Sequence, residues 1–202
     1  MPQNYKLFLS TQAITHCGIT LFYTQFSNNS DNEIVTYQMK IEKQRNEKDN
    51  YLKTNASSPL TFENKSNFNG LNYCPIDSQY LTKAFFIGIK DTTNCPPNLI
   101  PKGKLKFKLF ESEFYLTVYQ LGEKLNGRLF IPFLDLTNGA ETYGGGRFID
   151  AILEMNNIVY LDFNYSYNPY CAYNHNFICP IPPHQNKLPL KILAVQKNFI
   201  DL

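Results

Sequence analysis

Lys104-Leu105-Lys106-Phe107-Lys108-Leu109-Phe110-Glu111-Ser112-Glu113-Phe114-Tyr115-Leu116-Thr117-Val118 is the stretch that sets the fold class. Leu105, Phe107 and Leu109 alternate with Lys104, Lys106 and Lys108 at a period of two, which puts apolar and charged side chains on opposite faces of an extended strand. A short turn is expected at Glu111-Ser112. Phe114, Leu116 and Val118 then return on the apolar face. The whole reads as an antiparallel hairpin with one face buried and the other in water.

Working outward, Gly122 to Gly127 is a turn, and Arg128 to Leu136 is a predicted strand whose Pro132 implies an edge or a bulge. Arg147 to Leu153 and Ile158 to Phe163, joined by Glu154-Met155-Asn156-Asn157, form a second predicted hairpin. Lys187 to Val195 supplies a last strand with Leu188, Leu190, Ile192 and Ala194 on one side. Upstream, Leu71 to Ile89 is extended, and the prolines at 96, 97 and 101 with Gly103 make Asn94 to Gly103 a loop. Several short strands and one good helix predict a mainly β, β-rich α+β domain: an antiparallel barrel or sandwich with an N-terminal surface helix. Asn164 to Asn186 fits neither period, holds four prolines and is rich in tyrosine, so it is expected to pack over one end of the sheet.

The helix is announced by Ser30-Asp31-Asn32-Glu33, a capping box in which serine and glutamate satisfy each other's backbone N–H groups. Ile34, Tyr37, Ile41, Tyr51 and Leu52 give it a thin apolar stripe, and Ser57-Ser58-Pro59 ends it. The predicted division is a leader or flexible segment at 1–29, the helix at 30–56 and the β-rich domain at 57–202. Lys6 to Phe26 is the one candidate targeting segment. Polar residues interrupt it too often for a membrane span, and His16 before Cys17 is too large for a lipoprotein cleavage site. A cytoplasmic location is the first reading, with export or a lipid anchor as the alternative. A net charge of +2 provides no field to gather nucleic acid or anionic lipid. Five cysteines, at 17, 74, 95, 171 and 179, cannot all pair within the chain.

Asp135 to Asp150 (DLTNGAETYGGGRFID), Leu161-Asp162-Phe163-Asn164, Tyr167 to Tyr173 (YNPYCAY) and Cys179 to Pro183 (CPIPP) closely resemble the bacterial and archaeal domain-of-unknown-function family 1684. Ser58-Pro59-Leu60 and Phe68 to Tyr73 (FNGLNY) extend the resemblance over roughly residues 57 to 197. It implies a β-rich domain and no established activity. Cys74 stands where that family's pattern has an aromatic residue, and the connection from Asp91 to Pro101 is shorter than the family's.

The same region holds the candidate chemistry. Gly144-Gly145-Gly146 with Arg147 reads either as a backbone nest for an anion or as a bulge opening the next strand. Asp135, Glu141, Asp150 and Asp162 are the acidic candidates, with Glu154 in a turn. Glu141 or Asp162 would be the general base if the protein were a hydrolase-like enzyme. The alternative for these carboxylates is a pairing with Arg147 or a loop cap. Cys171, His175 and Cys179, four residues apart, read as structural thiols or a disulfide first and a metal set second. A Cys171 nucleophile with His175 as its base ranks last. The preferred expectation is a non-enzymatic small-ligand-binding or scaffold domain, with a small acidic molecule as the candidate ligand. Its polar pocket would be lined by Glu141, Tyr143, Gly145, Arg147, Asp162, Asn164 and Asn168, around the GGGR and LDFN motifs. The sequence specifies neither a cofactor nor an oligomeric state.

Overall fold

A computed structural model of the protein describes residues 18–89, 99–120 and 127–199. Helix α1 (Gly18–Thr54) and the short helix α2 (Phe62–Asn67) precede the strands. These are β1 (Leu81–Gly88), β2 (Ile100–Leu109), β3 (Ser112–Gln120), β4 (Arg128–Phe133), β5 (Arg147–Ile152) and β6 (Ile158–Asp162). The strands form one antiparallel sheet in the order β5-β4-β3-β2-β1-β6. Its two end strands approach each other, so the sheet curls into a nearly closed barrel.

The hairpin expected over Lys104 to Val118 is present as β2 and β3. Leu105, Phe107 and Leu109 of β2 are buried with Leu116 and Val118 of β3, while Lys104 and Lys108 face water. Its turn lies one residue earlier than expected, at Phe110-Glu111, because Leu109 pairs with Ser112. Both turn residues have positive φ, 48° and 64°. That is the twist a two-residue hairpin needs, taken without the usual glycine or asparagine. Phe110 is held there by an edge-to-face contact with Tyr80, 5.2 Å between ring centroids.

Four other expectations change. First, β2 begins at Ile100, inside the stretch read as a loop. A bulge between Pro101 and Gly103 takes up the proline, and a Cβ on Gly103 would come within 2.4 Å of the Ile87 carbonyl oxygen. Second, β5 and β6 are not hairpin partners. They are opposite ends of the strand order and meet because the sheet closes. Third, Lys187 to Val195 forms no strand. Leu188, Ile192, Ala194 and Val195 still bury in the core, and backbone bonds from Leu188 to Leu134 and from Leu136 to Leu190 fix the segment. Fourth, α1 starts at Gly18, so Ser30 to Glu33 lies inside the helix. The leader residues before Gly18 and the cysteines at 17 and 95 fall outside the described residues.

Pro132 is inside the sheet rather than at its edge. It pairs with Phe148 of β5, while β4 and β3 are joined at a single position, Tyr119 to Phe130. The gap beside Pro132 is filled by the Asn186 side chain. It accepts from the Thr117 N–H and donates to the Thr117 and Pro132 carbonyls, all at 2.7 Å.

The chain divides into two units between Lys40 and Ile41. Within the second, Ile41 and Leu52 of α1 are buried, and Leu52 packs in a cluster with Leu60, Phe68 and Tyr173. No helix among the described residues is long and apolar enough to cross a membrane.

Candidate functional site

Positions 44, 48 and 51 of α1 recur at helical spacing, so Gln44, Lys48 and Tyr51 share a face. That face and the Asn164–Tyr170 segment after β6 are the walls of a cleft of about 340 Å³, with Tyr73 also in its lining. The segment is held in place by β-type pairing. Tyr167 exchanges both backbone hydrogen bonds with Phe148 of β5, at 2.9 Å each, and its ring packs edge-on against Phe148.

Lys48 donates from Nζ to Gln196 Oε1 at 2.9 Å, and its amine lies 5.0 Å from the Tyr167 ring centroid and 6.0 Å from that of Tyr173. No carboxylate among the described residues pairs with it: the neighbouring Asp49 accepts the Leu71 N–H at 3.2 Å instead. Burial lowers the Lys48 amine from its ordinary 10.5 to about 7, with Asp49 opposing the shift only in part. Burial likewise raises the Asp49 carboxyl, and it holds the Tyr73 and Tyr167 hydroxyls well above the usual phenol range. Gln196 fixes the arrangement from behind. Its Oε1 also accepts the Asn168 N–H, and its Nε2 donates to the Tyr173 hydroxyl at 2.6 Å.

Three buried polar atoms on residues lining the cleft have no hydrogen-bond partner among the described residues: Tyr73 Oη, Ser166 Oγ and Asn168 Oδ1. Beside Tyr73, the Arg45 guanidinium stacks on the ring at 4.4 Å and gives Nη1 to the Cys74 carbonyl, leaving Nε and Nη2 unpartnered. Native interiors rarely leave such groups unpaired. Three of these atoms, on Tyr73, Ser166 and Asn168, belong to residues that line one cleft.

The Lys48 amine has a consequence for stability. Between its folded value near 7 and its ordinary value of 10.5 the unfolded chain holds the extra proton, so folding stability rises with pH across that window. Relative to Lys48→Met, the wild type is expected to gain about 2 kcal/mol from roughly pH 7 to pH 9 in urea-denaturation series. Parallel pH profiles for the two proteins would show that the amine is not buried uncharged.

Of the residues chosen from sequence, Asn164 and Asn168 line the cleft. Asn164 is anchored by Asp162, whose Oδ1 accepts its N–H at 2.9 Å and its amide at 2.8 Å, and it ties down the Asp77 backbone through two further bonds. Arg147 and Asp135 are fully buried and ion-paired to each other. Glu141 pairs at 2.7 Å with Lys191 on the surface, and that hydrogen bond holds its carboxyl below the usual range. Asp150 is exposed and accepts from the Tyr167 hydroxyl at 3.0 Å. Glu154 precedes the exposed turn at Met155–Asn157. Glu141 and Asp162, the two candidate general bases, are thus each committed to a separate neighbour.

The triple glycine is a turn. Gly146 donates its N–H to the Tyr143 carbonyl at 3.1 Å, and its φ is +88°. A Cβ there would sit 2.6 Å from Pro182 Cγ and 2.8 Å from the Phe133 carbonyl oxygen, so close packing alone demands glycine. Gly144 and Gly145 are exposed. Tyr143 reaches Cys171 Sγ from its hydroxyl at 3.6 Å, and burial together with that contact pushes the phenol up to about 12. Cys171 and Cys179 are adjacent free thiols, with the Cys171 N–H directed at Cys179 Sγ at 3.2 Å. Burial and the neighbouring thiol push Cys179 up to about 11. His175 is exposed, and no three His, Cys, Asp or Glu side chains among the described residues are grouped to hold a metal.

The sequence reading missed Lys48, Arg45 and Tyr73. Lys48 sits in a run of charged residues, Lys43 to Asp49, whose local pattern is that of a solvated helix face. The usable signal was the helical spacing of Ile41, Lys48 and Leu52, which puts the lysine on the apolar stripe.

A six-stranded, nearly closed antiparallel barrel, with a helix laid along a tyrosine-rich segment over one cleft, defines the class of domain. Within that class the chain belongs to the family described as protein of unknown function DUF1684, which matches residues 66–197. Tyr73 and the Asn164–Tyr170 wall fall inside the matched region; the helical wall with Lys48 precedes it. The solution NMR structure of an uncharacterized protein from Haloarcula marismortui is similar, at 27% identity and a TM-score of 0.65, over 83% of this chain and 97% of that one. No match was found among curated proteins.

Proposed function

We propose that this domain binds a small polar organic ligand in the cleft between α1 and the Asn164–Tyr170 segment. One observation carries the reading: Tyr73 Oη, Ser166 Oγ and Asn168 Oδ1 are buried beside one open cleft without partners of their own. Leaving a buried polar group unpaired costs about 1–3 kcal/mol, and a ligand that hydrogen-bonds to these atoms removes that penalty. Tyrosine rings supply flat apolar walls. An acidic ligand is accommodated because the Lys48 amine takes up a proton when a carboxylate arrives beside it.

Tyr73→Phe and Ser166→Ala test this directly, since each deletes an oxygen that no group among the described residues uses. Both variants are expected to melt at or above the wild-type temperature while losing about three- to tenfold in affinity for a small molecule retained in native mass spectra. A drop in melting temperature with retention unchanged would mean that these oxygens serve the fold and not a ligand.

A further inference from the structure

We propose that Lys48 is the reactive amine of this cleft and holds small carbonyl compounds, α-keto acids or aldehydes, as a reversible imine. The inference rests on the ligand-binding reading above and adds a covalent bond to it. A lysine serves as a nucleophile only when three conditions meet: its amine is uncharged, it is reachable from a cavity, and it is held still. Lys48 lines the cleft, is fixed by one neutral acceptor, Gln196 Oε1, and lies against the rings of Tyr167 and Tyr173. Its surroundings supply almost no countercharge. From its own helix the charged neighbours are Asp49, whose carboxylate accepts the Leu71 N–H, and Glu47, which lines the same cleft and lies 3.9 Å from Lys43 Nζ; from the packed segments it meets Tyr167, Tyr173 and Gln196, all neutral. The lowered amine value agrees with that geometry.

The other lysines offer a contrast. Lys106 and Lys191 have carboxylate partners at 3.0 and 2.7 Å, and Lys104 faces solvent. In water or in an ion pair a lysine stays protonated at neutral pH and has no lone pair to give.

The step balances without an outside oxidant or reductant. The Lys48 Nζ lone pair forms a bond to the carbonyl carbon, and the carbonyl π electrons move to oxygen. The carbinolamine then loses that oxygen as water, carrying away the two hydrogens that were on the amine, and leaves a C=N bond. The reverse reaction restores the free lysine. Tyr73 lines the same cleft and retains its proton.

The test uses the full chain with pyruvate or acetaldehyde as the probe at about pH 7.5, with cyanoborohydride present to reduce any imine. Adducts are located by peptide mass spectrometry. Lys48 is expected to be modified at least about tenfold faster than Lys104, with a rate that falls as pH drops below about 7. Lys48→Arg, checked for an unchanged melting temperature, is expected to lose that fast phase. Adducts spread evenly over the lysines, with Lys48 no faster than Lys104, would overturn the proposal, including where lactate, which has no ketone or aldehyde carbonyl, still binds saturably. That last result would leave the cleft reading standing without the covalent step. Fast labelling of Lys48 that Tyr73→Phe and Ser166→Ala leave unaltered would support the amine while removing the hydrogen-bonding reading of the cleft.

Discussion

Arg147→Ala is expected to cost about 3–5 kcal/mol of folding stability. Both partners of the Arg147–Asp135 ion pair have fully buried side chains, so truncating the arginine leaves an ionised carboxylate in the interior with no cation to offset it. The Asp135 carboxylate is also a backbone anchor. Its Oδ1 accepts from the Thr137 N–H at 2.7 Å and the Thr137 hydroxyl at 2.5 Å, and its Oδ2 accepts from the Ile192 N–H at 3.1 Å. Those bonds tie the Asp135–Thr137 turn to the C-terminal segment. Asp135→Ala is therefore expected to cost at least as much as Arg147→Ala, because it strands two amides as well as the guanidinium. The arginine is not comfortably placed even in the wild type. Its Nε and Nη1 have no partner among the described residues, burial lowers its pKa against the pull of Asp135, and the Phe133 ring lies 5.0 Å away. Urea unfolding of the wild type and both variants measures the effect. Salt up to about 1 M is expected to change the difference little, since a fully buried pair is poorly screened. A loss below about 1 kcal/mol for Arg147→Ala would show that the pair is open to water after all.

Asn186→Ala is expected to cost about 3 kcal/mol. Asn186 is fully buried and stands in for a rung of the sheet where Pro132 has no N–H to give and β3 and β4 have only one paired position. Removing its side chain leaves the Thr117 N–H and the Thr117 and Pro132 carbonyls without this partner. Asn186→Asp separates hydrogen bonding from volume. The carboxylate can still accept from Thr117 N–H but faces two carbonyl oxygens with nothing to donate, so its loss is expected to equal or exceed that of alanine. Hydrogen exchange adds a local readout, with the Thr117 amide exchanging faster in both variants. If Asn186→Ala unfolds at the wild-type urea midpoint, the seam between β3 and β4 does not depend on this side chain.

The unpartnered oxygens and the amine of the cleft come from different parts of the chain. Tyr73, Ser166 and Asn168 lie within the region that defines the family, whereas Lys48 lies in the helix before it. The hydrogen-bonding and covalent readings can therefore fail independently, and the labelling experiment tells them apart.

What the sequence determined by itself was whatever depends on neighbours a few residues away. The alternation of Leu105, Phe107 and Leu109 specified a half-buried strand because side chains on a strand alternate by geometry. The motifs from Asp135 to Pro183 identified the family. Asp162 and Asn164 were singled out together, and they are joined through a local cap whose spacing of two residues is visible in the chain. The tertiary structure decided everything that depends on which distant segments meet. Strands β5 and β6 looked like a hairpin because they are consecutive, but closing the barrel puts them at opposite ends of the strand order. Arg147 beside three glycines looked like a ligand contact, but Asp135, twelve residues earlier, meets it in the core. Lys43 and Lys48 look alike in the chain. Only the folded structure leaves the first with a side chain 78% exposed and brings Tyr167 and Gln196 over the second. Burial is a property of long-range packing, and the charge state of a lysine follows from burial, so neither could be read from the residues on either side of it.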